Sequence, residues 1–134
     1  MSSAAVRTAI RSRLAANFTS APIHDSLNAN VDPAFGPWIT VEFLAGLEDI
    51  ASVGDPGRNL YRESGTVQVH VLVPSGTGDT LAVQYADQIR AVFRGQTFDG
   101  VQVVGVDPPQ TTDAEDGNWF TATVAFDYEY EFVE

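Results

Sequence analysis

Few side chains in this 134-residue sequence are of types that do chemistry, and their spacing limits what they can do. The two histidines, His24 and His70, have no partner at His-x-x-x-His or Glu-x-x-His spacing, so neither metal ligation nor a proton relay is written around them, and both read as surface histidines. Gly76-Thr77-Gly78 precedes a helical run, where free backbone amides attract anions. A phosphate loop of the Gly-x-x-x-x-Gly-Lys-[Ser/Thr] kind needs a lysine, and the chain has none; Asp79 would also repel a phosphate. The triplet reads as a tight strand-to-helix corner. Asp113, Glu115 and Asp116 gather in one acidic segment, but a calcium loop starting at Asp113 would need a glutamate where Val124 stands. Asp127, Glu129 and Glu131 alternate along one strand face. Carboxylate pairs can hydrolyse glycosides at a suitable separation, but no aromatic platform accompanies these, and they read as a solvated face. There is no Gly-x-Ser-x-Gly elbow and no cysteine, which removes thiolate metal sites, disulfides and cysteine nucleophiles together. No catalytic residue, metal or cofactor is expected.

The arginines stand out by scarcity: 18 acidic residues face seven basic ones, all arginine. Arg58 and Arg62 flank the end of a long connection, and Tyr61-Arg62 pairs two residue types that anchor protein interfaces through apolar area and a planar donor fork. The alternative is a local ion pair from Arg62 to Glu63 or Asp55. The connection itself, 44–59, carries Leu47, Ile50 and Val53, more apolar than a free linker should be. Either it makes a short helical turn under the sheet, or it gains order against a partner subunit.

The elements that must position these residues follow from periodicity. Val6, Ile10, Leu14 and Phe18 form one helical stripe behind the capping serines Ser2 and Ser3, with an end near Asn17. Residues 19–37 read as an irregular connection rich in turn formers. Ile39, Val41 and Phe43 alternate as a strand. Val67, Val69, Val71 and Val73 face one way on a long strand over 60–73, with a bulge expected at Gly65 and an end at Pro74. Ala82, Tyr85, Ala86 and Ile89 predict a second helix from Asp79 to a Gly95 stop. A third strand is expected over 98–106, bulged at Gly105 or covered on both faces, then an acidic hairpin connection over 108–117. The last strand alternates Phe120, Ala122, Val124, Phe126, Tyr128, Tyr130 and Phe132 with polar and then acidic residues. The order α-β-β-α-β-β, a rough doubling without a sequence repeat, predicts an α+β fold: a mainly antiparallel four-stranded sheet with both helices on one face.

Length predicts a single domain over 1–134 that can bury its own core. A net charge of −11 repels phosphate backbones and argues against ordinary nucleic-acid binding. No apolar run approaches the roughly 20 residues of a membrane span, and the arginine-interrupted N-terminus lacks the apolar core of a signal peptide.

Taken together, several features resemble the tail terminator (minor tail) proteins of long-tailed bacteriophages and gene transfer agents. They are the opening helix, the strand over 38–43, the long connection, Tyr61-Arg62 before Gly65, the Val-Gln-Val strand, the 74–78 corner, the helix with Ala86-Asp87 and the aromatic last strand. The resemblance implies a structural virion protein and no enzyme. It implies a homo-oligomer, a hexameric ring that caps the tail tube, stops its polymerisation and offers a surface to the head-completion connector. Its implied partners are the tail tube protein and that connector, with DNA passing through unbound. Its implied place is the head-proximal end of the virion tail, after assembly in the bacterial host cytoplasm. In that setting Leu47, Ile50, Val53, Arg58, Tyr61 and Arg62 are expected at a subunit or tube interface, and Asp127, Glu129 and Glu131 along an acidic lumen. Other readings stay open: another connector or tube component, or a small-molecule binding domain or enzyme, which would carry a deep polar pocket.

Overall fold

The computed structural model describes residues 3–19, 21–24, 36–44, 46–50, 54, 57–74, 79–113 and 119–133. Helix α1 (Ala4–Asn17) starts where the Ser3 side chain accepts from the Val6 amide, and it ends as the Phe18 amide donates to the Leu14 carbonyl. Then come β1 (Ile23–His24), β2 (Trp38–Phe43), β3 (Leu47–Ile50) and the long β4 (Leu60–Pro74). Helix α2 (Asp79–Phe93) opens the second half, followed by β5 (Thr97–Phe98), β6 (Val101–Val106), β7 (Gln110–Asp113) and the long β8 (Trp119–Val133).

The two halves repeat one plan. In each, a helix is followed by strands of 2, 6, 4 and 15 residues. Strand β2 pairs with the second half of β4 and β3 with its first half; β6 and β7 divide β8 in the same way. The halves join through one antiparallel β4–β8 ladder running from Leu60↔Val133 to Pro74↔Trp119. The plans differ at one place: β1 runs parallel to β2, whereas β5 turns back antiparallel onto β6. That second hairpin turns at Asp99-Gly100, both at positive φ (48° and 84°), the conformation a two-residue hairpin turn demands.

This is the α+β fold with a mostly antiparallel sheet and both helices on one face, and it is larger than expected. The described residues contribute eight strands instead of four. The additions are β1, β3, β5 and β7, strands of 2 or 4 residues, too short to show a period of their own. In the connection 44–59, residues 47–50 are therefore not a helical turn: they form β3, paired from Leu47↔Ser64 to Ile50↔Tyr61. The acidic connection 108–117 likewise contains β7.

The core lies between the helices and one face of the sheet. It joins Val6, Ile10 and Leu14 of α1 and Ala82, Ala86, Ile89 and Phe93 of α2. From the strands come Val67, Val69, Val71, Val73, Val101, Val103, Val124, Phe126 and Tyr128. The Phe93 ring stacks on Phe126 at 4.5 Å, and each such side chain contributes about 1.5–3 kcal/mol by leaving water. Arginines hold the helices down by their edges. Arg7 and Arg11 lie over the Phe43 ring, and Arg13 donates to the Val92 carbonyl at the end of α2.

Gly65 does not make the expected bulge. It pairs in register with Tyr128, and a Cβ there would stand 2.9 Å from the tyrosine hydroxyl. The glycine lets the Tyr128 ring cross β4 and donate to Glu63 at 2.7 Å. Glu63, though ionisable, is buried, and it also accepts from the Ser3 amide at 3.1 Å, so it caps α1 from a distant strand. The bulge that does form lies between Val103 and Gly105 of β6, as the sequence allowed, and it leaves Val104 exposed.

Candidate functional site

At about 3.3 Å per residue a 15-residue strand spans roughly 50 Å, whereas a 14- or 15-residue helix spans only about 22 Å. The β4–β8 ladder therefore outruns its helices. On the helix side the buried apolar residues of β4 begin at Val67 and those of β8 end at Tyr128. Beyond them lies an overhanging end made of β3, the start of β4 and the end of β8. Its helix-side surface carries Ile50, Tyr61 and Phe132 in one cross-strand row. The Tyr61 and Phe132 rings stack at 5.5 Å, and Phe132 meets Tyr130 at 5.9 Å. Ile50 stays exposed.

The other face of the same end is polar and has no helix on it. Register places Arg62 opposite Glu131, Ser64 opposite Glu129, and Thr66 opposite Asp127. Arg62 donates through Nε (3.0 Å) and Nη2 (2.6 Å) to Glu131 Oε1, with both side chains about half exposed. The hydrogen bond and charge of Glu131, with Glu129 behind them, push the Arg62 guanidinium up from its ordinary value, so it stays charged. Thr66 Oγ1 donates to Asp127 Oδ1 at 2.7 Å. Asp49 lies opposite Arg62 on the β3 side. The guanidinium thus has the Glu131 carboxylate in contact and the Glu129 carboxylate farther off. Between β3 and β6 this face forms an open groove of about 340 Å³. Ser64, Thr66, Asp127 and Glu129 floor it, and Leu47 and Val104 border it.

The residues predicted from sequence now fall into place. Leu47 and Ile50 are exposed on β3, on opposite faces of the sheet. Tyr61 is half-buried under Phe132, and Arg58 is exposed just before β4. Val53 lies outside the described residues, as do Gly76, Thr77, Gly78, Glu115 and Asp116. Arg62 does not pair with Glu63, and Asp55 lies outside the described residues; among the described residues its partner is Glu131, 69 residues away and directly across the ladder. That pairing merges two sets expected apart. An arginine expected at an interface and a carboxylate expected along a lumen share one ion pair on one face.

His70 departs from the surface reading. It is buried, with Nδ1 2.9 Å from Thr123 Oγ1 and Nε2 2.8 Å from Glu42 Oε2. The order hydroxyl–imidazole–carboxylate resembles a hydrolytic relay, but the chemistry of one is not in place. Thr123 lies within a central strand whose amides are committed to its neighbours, which leaves no pair of free N–H groups for an oxyanion. The network ties β2, β4 and β8 together across the sheet. Sequence reasoning missed it because Glu42, His70 and Thr123 meet only through register. Among the described residues no group of three or more metal-ligating side chains converges, and no helix is long and apolar enough to cross a membrane.

Comparison with known proteins supplies what site chemistry does not. A family model described as phage tail terminator protein matches residues 5–128. No curated protein matches. One solved structure, whose title names no function, is 26% identical, with a TM-score of 0.62, over 98% of this chain and 97% of its own. A second comes from the virion of a native gene transfer agent particle. It is 15% identical, with a TM-score of 0.59, over 98% of this chain and 100% of its own, and shares the fold.

Proposed function

The chain belongs to the phage tail terminator family, a family of structural proteins of the virion tail, and from that premise we propose that it closes a ring on the finished tail tube. The ring, expected to have six members, stops tube growth and presents its far side to the head-completion connector at the head-proximal end. Assembly follows in the host cytoplasm. The physical logic is that a head-to-tail contact closes into a ring when its rotation closes, while a ring whose two sides differ can copy a tube subunit on one side only.

The observation that carries this reading is the overhanging end of the sheet. It exposes Leu47 and Ile50 on a short edge strand, next to Arg58, the Tyr61–Phe132 stack and the Arg62–Glu131 pair. Large exposed aliphatics beside interface-type aromatic and arginine residues make a surface fitted to another subunit or to the tube. Labelled protein added to preformed tubes tests it: label confined to one end of each tube supports capping, and label along the walls or none at all contradicts it.

The excess of carboxylates favours a second reading, in which Asp127, Glu129 and Glu131 line a lumen through which DNA slides by repulsion. The two readings divide on one experiment. Neutralising Glu129 and Glu131 with glutamine leaves assembly intact and impairs DNA passage if they face the lumen. It impairs assembly first if they face a neighbour.

A further inference from the structure

We propose that the groove on the helix-free face receives Arg58 of a second copy of this chain, so that adjacent copies are joined tip to groove. The proposal rests on the ring reading above and names its contact. Leu47 and Val104 are 61% and 59% exposed on opposite sides of the groove, and Asp127 and Glu129 lie on its floor. Three strand spacings separate β3 from β6, about 14 Å, wide enough for a chain segment to enter. Apolar borders around carboxylates suit an arginine, whose methylene stem covers aliphatic surface while its planar fork meets the oxygens. Thr66 occupies Oδ1 of Asp127, and Oδ2 has no partner among the described residues.

Five of the other six arginines are committed elsewhere, and the sixth, Arg94, lies away from the overhanging end. Arg7 and Arg11 lie over Phe43, and Arg13 holds the Val92 carbonyl. Arg62 is paired with Glu131 and Arg90 with Asp87. Arg94 follows α2, on the helix side of the sheet. Arg58 is exposed and makes no ion pair with any described residue. It cannot serve its own groove: Ser64 lies six residues farther along, about 20 Å of extended chain. Tip and groove are different surfaces, so the contact repeated head to tail builds a ring or a filament.

Charge exchange tests this. Arg58→Glu and Glu129→Arg, each alone, weaken self-association of the full chain by roughly tenfold or more, read by light scattering and sedimentation at low salt. The double variant recovers to within about threefold of the unaltered chain. Unchanged melting temperatures show that each variant is folded. Single variants that associate normally, or a double variant as weak as either single, overturn the contact. If Arg58→Glu spares self-association but abolishes tube capping, Arg58 faces the tube and the contact between copies is wrong, while capping stands. An unaltered chain that neither self-associates nor caps tubes overturns both readings.

Discussion

The two faces of the β4–β8 ladder are written by alternate residues of the same strands, yet they answer to different demands. On the helix side Val67, Val69, Val124, Phe126 and Tyr128 are buried and interlocked with α1 and α2. On the opposite side Ser64, Thr66, Asp127, Glu129 and Glu131 make short polar contacts or none, and leave a groove. A residue's contribution to stability should therefore flip from large to small with each step along β8, and its contribution to assembly should do the reverse. The outer strands carry the same contrast between the two halves of the chain. Strand β3 exposes Leu47 and Ile50, whereas β7, its counterpart in pairing and length, exposes Gln110 and Thr111. On the proposed reading, the exposed aliphatic part of the contact surface therefore lies on β3, in the first half.

The largest effect that could break the contrast is on the buried side. Phe126→Ala removes the ring stacked on Phe93 and should cost about 3–5 kcal/mol in urea unfolding. Asp127→Asn, one residue on, should stay within about 0.5 kcal/mol. Comparable losses from the two would erase the distinction between the faces. Tyr128→Phe should cost about 1–3 kcal/mol, because it takes the hydroxyl donor from the buried Glu63 carboxylate. Gly65→Ala should cost about 1–3 kcal/mol by pushing the same ring off β4. A Gly65→Ala protein as stable as the unaltered chain would mean that the ring does not need the glycine. A small effect on stability goes with the sharpest effect on function. Leu47→Thr with Ile50→Thr gives β3 the polarity of β7 and should shift unfolding by no more than about 1 kcal/mol while preventing tube capping. Normal capping by that variant would remove β3 from the interface.

Much of the fold was legible because long segments repeat a clean period. The stripe Val6–Ile10–Leu14, the valines of β4 and the aromatics of β8 each occupy the face their spacing demands. The short strands were not legible. Four residues such as Leu47-Glu48-Asp49-Ile50 carry no alternation, and only β4 as a neighbour makes them a strand. The β5–β6 hairpin did leave a signal, since Asp99-Gly100 is a favoured two-residue turn. Gly65 carried an ambiguous one, because a strand glycine marks either a bulge or a close approach, and the deciding ring lies 63 positions away in the chain. The site was readable as a set of residues but not as an arrangement. Arg62–Glu131 and His70–Glu42–Thr123 exist only once register is fixed. The buried Glu63 had no signal, as its partners come from opposite ends of the chain.

The central claim is that copies of this chain end a growing tube. Negative-stain images of tails assembled with and without the protein test it most directly. The account predicts tubes of one length, each with extra density at one end, when the protein is present, and tubes of uncontrolled length when it is absent. Identical length distributions in the two preparations would contradict it.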